Sequence, residues 1–181
     1  MKNNHTENPI DTFTNWFCDK ISPLFYVMGF TPDIISILAF VTGMMAVWLL
    51  LKERCMIWTS IALIVISYVL NCLDWQFARK YNMVSTFGDY LDYTCDIIKL
   101  VALLVALHYV NPKLFRQTLP ITVILLILLL GHASCHDDAL PVFKKVCPGP
   151  DAIHYTRFFG IGSFTLYECI LTWAICQSSP S

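Results

Sequence analysis

The chain has 181 residues, 56% of them hydrophobic and only 14% charged, with a formal net charge of -1 at pH 7. So apolar and so nearly neutral a chain offers no basic surface to nucleic acid, which is excluded as a partner, and makes the membrane its expected solvent. Six of its cysteines, Cys18, Cys55, Cys72, Cys95, Cys169 and Cys176, lie within or beside apolar stretches. A small soft hydrophobe needs no pairing there, so disulfides are not implied.

Residues 1–30 lack a basic head followed by an apolar core and a small-residue cleavage site, so no cleavable signal peptide is expected and the first span does the targeting. Ahead of that span, Ile10, Phe13, Trp16, Phe17, Ile21, Leu24 and Phe25 fall roughly on one side of a helix. Asp11, Asn15, Asp19 and Ser22 fall largely on the other. This pattern suits an amphipathic helix lying in the membrane interface, and equally an ordinary packing helix at the start of a bundle.

Crossing a hydrocarbon core takes about 20 helical residues. Five runs qualify or nearly so: Ile34 to Leu51, Met56 to Leu73, Asp92 to Val110, Leu119 to Ala133 and Phe158 to Cys176. The fourth is short enough to be re-entrant. The fold class is therefore an all-α integral membrane protein, a bundle of five or six transmembrane helices with an N-terminal amphipathic helix over residues 1–30. No internal repeat divides the chain, and residues 1–181 form a single membrane domain.

Loop charge sets the orientation. With five spans, one side carries Lys2, Lys20, Arg79, Lys80, Lys144, Lys145 and Arg157, and the other carries Lys52, Arg54, Lys113 and Arg116. The excess places the loop between the second and third spans on the cytoplasmic face. The later loop from His132 to Arg157 contains Cys135, His136, Asp137, Asp138, Cys147 and His154, but their spacing matches no standard zinc finger and reads as a polar connector. Within the spans, Lys99 follows Asp96 by three residues and can pair with it, whereas Glu168 has no local partner and is expected to face the bundle interior or be protonated.

The stretch "NCLDWQFARKYNMVSTFGDYLDYTCD", residues 71–96, concentrates charge between two apolar runs. Asn71, Asp74 and Ala78 share a face at the end of the second span, and Asp89, Asp92 and Asp96 repeat the spacing at the start of the third. Carboxylates gathered at membrane depth repel one another unless a cation neutralises them, and oxygen ligands from neighbouring helices suit a hard divalent ion such as Mg²⁺ or Mn²⁺. Between them, Arg79 can fork onto a phosphate, Ser85 can cap the third helix, and Gly88 leaves room for close approach. Acids for metal beside donors for phosphate point to phosphoryl or pyrophosphate chemistry. A channel or transporter would also use intramembrane acids, but leaves the loop from Arg79 to Gly88 unexplained.

The same stretch resembles the signature of the CDP-alcohol phosphatidyltransferase family, DxxDGxxARx(8)GxxxDxxxD. Its positions are filled here by Asn71, Asp74, Trp75, Ala78, Arg79, Gly88, Asp92 and Asp96, so six of eight match with every spacing intact. A second family feature, a TPNxIT-like run opening the first span, appears as "TPDIIS" from Thr31 to Ser36, with Asp33 in place of the usual asparagine. The resemblance implies a membrane enzyme that transfers a phosphatidyl group from a CDP-linked alcohol to a second alcohol and releases CMP. Carried over by position, Asp74, Asp92 and Asp96 would hold a divalent metal, Mg²⁺ or Mn²⁺, with Asn71 where a further ligand is expected. Asp96 would also be the catalytic base. Pro32, Asp33, Trp75, Ala78, Arg79, Ser85 and Gly88 would line the CDP-donor site.

Compact members of the family use CDP-diacylglycerol and a water-soluble alcohol acceptor such as inositol, serine, glycerol phosphate or inositol phosphate, so CDP-diacylglycerol is the implied donor and the acceptor stays open. The resemblance further implies a homodimer among membrane lipids, in a eukaryote at the endoplasmic reticulum, making phospholipid. Two departures bear on activity: Asn71 lacks a charge the family's aspartate carries, and Trp75 replaces a glycine. They leave open a degenerate relative that binds nucleotide or lipid without turnover.

Overall fold

The structure, a computed structural model, describes residues 9–52, 56–134 and 160–178. Among them are six helices and no strand: α1 (Pro9–Val27), α2 (Pro32–Leu50), α3 (Ile57–Lys80), α4 (Thr86–Val110), α5 (Pro112–Ser134) and α6 (Ile161–Ser178). Four of these, α2 to α5, are long and apolar enough to cross a membrane. The protein is an all-α membrane protein.

The chain reverses twice by the same device. At the end of α1 the Gly29 N–H donates to Tyr26 O (3.0 Å) and the Phe30 N–H to Phe25 O (3.1 Å), with Gly29 at φ 77°. This is a Schellman cap, which needs a left-handed residue that glycine supplies without strain, and the accompanying apolar contact is Phe25 against Phe30, ring centroids 5.1 Å apart. Thr31 then caps α2, with Pro32 in its first turn where a missing N–H costs nothing. After α3 the Met83 N–H reaches back to Ala78 O (2.7 Å) around Asn82 at φ 55°, the residue that tolerates this backbone best after glycine. Ser85 immediately caps α4 through the Gly88 N–H (3.0 Å). The connection is therefore short, and the end of α3 and the start of α4 are held side by side.

α2 lies at the centre, against α3 and α4. Its buried face carries Ser36, Ala39, Gly43 and Ala46, small residues at helical spacing that let neighbouring backbones approach where lipid removes the hydrophobic drive to associate. At one end Cys18, Ile35, Leu73 and Phe77 form a core; at the other, Val47, Leu50, Leu103, Leu107, Leu171 and Ile175 form a second. Leu171 and Ile175 of α6 thus pack beside the C-terminal ends of α2 and α4, while Gly162 at its start meets α1. α6 runs in the same direction as α2, so its C-terminal end lies opposite the start of α2.

Two expectations need correction, and a third holds. The fourth apolar run is not short: α5 begins directly after Asn111, whose Oδ1 accepts from the Leu114 N–H (2.9 Å), and Pro112–Gly131 alone is 20 residues of apolar helix. Polar residues at the start of α5 hid its first two turns. α1 is amphipathic as expected: Phe13, Trp16 and Leu24 are exposed, as suits a helix whose outer face meets lipid, while Thr14, Cys18 and Ser22 are buried and Ile21 and Phe25 pack on the core. Finally, Cys176 is disulfide-bonded, a pairing made by tertiary proximity that spacing could not reveal; Cys18, Cys72, Cys95 and Cys169 are free thiols. The connector assigned to residues 135–157 lies outside the described residues.

α1 lies along the C-terminal half of α3. Asp11 Oδ1 accepts from the Tyr68 hydroxyl (2.6 Å) and from the Gly162 N–H (2.9 Å), joining three helices. Pro23 lacks the N–H that would bond Asp19 O; instead that carbonyl accepts from the Ser22 hydroxyl and from Lys80 Nζ, both at 3.1 Å. Lys80 also pairs with the Asp19 carboxylate at 2.7 Å, and this hydrogen bond, with the attraction of the ammonium, holds the Asp19 pKa below its ordinary value.

Candidate functional site

The two capped reversals bring the N-terminal ends of α2 and α4 against the last two turns of α3. The cavity between them, about 280 Å³, is lined on the α2 side by Pro32 and Asp33, and on α3 by Asp74, Trp75, Ala78 and Arg79. Met83, Val84 and Ser85 of the turn, then Gly88, Asp89, Asp92 and Tyr93 of α4, close it. Four carboxylates and one guanidinium therefore face a single small volume. Two helix N-termini, capped by Thr31 and Ser85, open onto it as well, and the positive end of each helix dipole favours an anionic ligand.

Every donor-site residue expected from the sequence lines this cavity, as do Asp74 and Asp92. Asn71 and Asp96 do not; they pair beside it, Asn71 Nδ2 donating to Asp96 Oδ2 at 2.9 Å. The Asp96 Oδ1 atom pairs with Lys99 Nζ at 2.7 Å, the ion pair expected from their spacing. Asp74 is buried and accepts a hydrogen bond from the Ser36 hydroxyl, which ties the first turn of α2 to α3. Gly88 is where helices touch: a Cβ there would lie 3.0 Å from Asp33 Oδ1 and 3.1 Å from Ser85 Oγ. A side chain at that position would make the Asp33 carboxylate and the Ser85 hydroxyl give way by a few tenths of an ångström.

Trp75 stands where the family signature has glycine. Its indole faces Arg79, whose guanidinium carbon lies 3.4 Å from the ring centroid. The ring is thus neither lost to lipid nor loose in the cavity; it is a platform for the cation.

Whether these residues suit a divalent cation can be tested on their own chemistry. All the donors are oxygens, and two buried ones, Asn71 Oδ1 and Asp92 Oδ1, have no hydrogen-bond partner. An unsatisfied buried carboxylate or amide oxygen is costly and asks for a cation or water. Among the described residues no group of three His, Cys, Asp or Glu side chains converges to cage a metal. Asp74 and Asp92 with the Asn71 amide oxygen are a donor set that fits a hard cation held partly by a phosphate ligand, as Mg²⁺ commonly is.

Sequence reasoning missed Tyr93, Ser36, Ser67 and Gly43. Tyr93 is four residues from Asp89, on the same face, a signal that was present. Ser36 closes the "TPDIIS" run, but nothing in that run says it bonds Asp74. Ser67 and Gly43 matter only through Lys99, a contact across three helices with no local trace.

The membrane bundle gathers four carboxylates, an arginine and two helix N-termini around one small cavity. Residues 30–137, more than half of the chain, match the family model of the CDP-alcohol phosphatidyltransferases, and the chain belongs to that family. No curated protein and no solved structure matches it.

Proposed function

We propose that the protein transfers a phosphatidyl group from CDP-diacylglycerol to a small water-soluble alcohol, releasing CMP, in a reaction that depends on a divalent metal. The observation that carries this reading is the cavity in which Asp33, Asp74, Asp89 and Asp92 face Arg79, with Asn71 Oδ1 and Asp92 Oδ1 unpartnered. So acidic a cavity repels a pyrophosphate unless a cation accompanies it.

Asp74, Asp92 and Asn71 would hold the metal, Mg²⁺ or Mn²⁺, which when bound neutralises the pyrophosphate and stabilises the departing CMP. The chain's own residues do the rest. Arg79, braced on Trp75, supplies donors in the plane of its guanidinium to the phosphate oxygens. The α2 and α4 N-termini offer the positive ends of their dipoles to the same charge. The acceptor hydroxyl oxygen bonds to the phosphorus that carries the diacylglycerol, the bond from that phosphorus to the bridging oxygen breaks, and CMP leaves with the electron pair. Asp96 takes the hydroxyl proton as general base.

The site belongs on the cytoplasmic face, where Arg79 and Lys80 end α3. Cys176, disulfide-bonded at the opposite end of the bundle, supports that orientation, because disulfides persist on the oxidising side. By likeness to the family the working unit is a homodimer, and in a eukaryote its membrane is the endoplasmic reticulum.

The test is release of CMP from CDP-diacylglycerol by the purified chain, with Mg²⁺ or Mn²⁺ and a panel of alcohols. Release needing both a metal and one acceptor supports the reading; metal-independent release ends it. A second reading rests on Trp75, which fills a glycine position: a relative that binds nucleotide or lipid without turnover. Under it the wild-type chain binds CDP-diacylglycerol but releases nothing, and the Asn71→Asp, Trp75→Gly double variant gains release.

A further inference from the structure

Lys99 reaches the site from below, and three helices make room for it. Its Nζ lies 2.7 Å from Asp96 Oδ1 and 3.4 Å from the Ser67 hydroxyl oxygen, which itself donates to Ala39 O at 2.7 Å. Gly43 of α2 forms the notch through which the stem passes: a Cβ there would lie 2.7 Å from Lys99 Cδ, 3.3 Å from Lys99 Cγ and 3.0 Å from Ser67 Oγ. The ammonium is thus held by a carboxylate, a hydroxyl and a steric slot.

The consequence runs through Asp96 to Asn71. A carboxylate only accepts hydrogen bonds, so the Asn71 group facing Asp96 Oδ2 must be the amide Nδ2, as the structure has it at 2.9 Å. That turns Asn71 Oδ1 away from Asp96, and it is one of the two buried site oxygens without a partner. Both oxygens of Asp96 are engaged, one by an ammonium and one by an amide, while Asn71 Oδ1 and Asp92 Oδ1 stay open. Charge divides the same way. Asn71, Asp96 and Lys99 together are neutral, whereas the cavity layer with Asp33, Asp74, Asp89, Asp92 and Arg79 is strongly negative.

We infer that Lys99 is a built-in cation of the site, a positioning residue that reserves Asp96 for proton transfer and confines the chain to a single divalent metal ion on Asn71, Asp74 and Asp92. This deepens the metal-dependent reading above and rests on it. It also narrows the double role implied for Asp96 to that of base alone. Were residue 71 an aspartate and residue 99 uncharged, two carboxylates would face each other at hydrogen-bond distance, and a second metal ion would be the natural neutraliser.

The test counts Mn²⁺ bound by the full-length chain in detergent, by equilibrium dialysis with electron paramagnetic resonance of the free ion. The wild-type chain is expected to saturate with one Mn²⁺ per chain, and the Asn71→Asp, Lys99→Met double variant with two. Two Mn²⁺ ions on the wild type, or an unchanged count in the folded double variant, overturns the inference. The wild-type count decides alone if the variant does not fold. Metal-dependent CMP release by a chain that binds two ions would leave the function standing and remove the role of Lys99. No Mn²⁺ bound by either protein would overturn the metal-dependent reading and this inference with it.

Discussion

The guanidinium of Arg79 lies over the face of Trp75, 3.4 Å from the ring centroid, one helical turn along α3. A guanidinium stacked in this way keeps its N–H donors at its rim, and both residues line the cavity. The tryptophan that departs from the family signature is therefore tied to the arginine that keeps it.

Trp75→Gly should weaken donor binding. Losing a cation–π contact of about 0.5–2 kcal/mol corresponds to roughly 2- to 30-fold in affinity. Titration of CMP onto the wild-type and variant chains reads this directly. Tighter binding in the variant would mean that the indole obstructs the nucleotide, and unchanged binding that the stacked pair adds nothing to affinity.

Ser36→Ala removes the hydroxyl that donates to buried Asp74 and ties the first turn of α2 to α3. Leaving a buried carboxylate oxygen short of a donor costs about 1–3 kcal/mol. The variant should unfold at lower temperature in detergent, and added Mg²⁺ should recover part of the loss by taking up the freed oxygen. A variant with wild-type stability would show that this bond carries no weight.

Gly162→Val tests the junction of α1, α3 and α6. A Cβ at Gly162 would lie 2.7 Å from Asp11 Oδ1, 2.8 Å from Ile10 Cγ2 and 2.8 Å from the Tyr68 hydroxyl. Such overpacking typically costs about 1–3 kcal/mol. α1 should detach first, giving earlier proteolysis between α1 and α2 than in the wild type. Cleavage at the wild-type rate would mean that α1 is held elsewhere, for instance by Lys80 on Asp19.

Much of the site was legible because its determinants are local. The spacing of Asn71, Asp74, Asp89, Asp92 and Asp96 fixes which residues share a helix face, and Ser85 announces the start of α4; the i, i+3 relation of Asp96 and Lys99 is their ion pair. What stayed hidden is tertiary. Nothing in sequence order says that Gly43 yields to Lys99, that Ser36 reaches Asp74, or that Cys176 is bridged. Apolar residues turn inward in water, but beside lipid they can face outward, and the small polar Thr14, Cys18 and Ser22 allow the closer fit against α3.

Topology offers an independent check. α6 ends beside the C-terminal ends of α2 and α4, so a tag placed after Ser181 and a cysteine introduced at Asn82 should be reached from opposite sides of sealed vesicles. Access to both from one side would contradict this arrangement of α6.

Metal-dependent release of CMP from CDP-diacylglycerol in proteoliposomes tests the central claim most directly, with wild-type, Asp92→Asn and Asp96→Asn chains run side by side. The wild type should release CMP only with Mg²⁺ or Mn²⁺ and an acceptor alcohol. Asp92→Asn should abolish release by removing a ligand charge, and Asp96→Asn should lower it by about 10²–10⁴-fold, the usual contribution of a general base. Release without metal, or at the wild-type rate in both variants, would contradict the account.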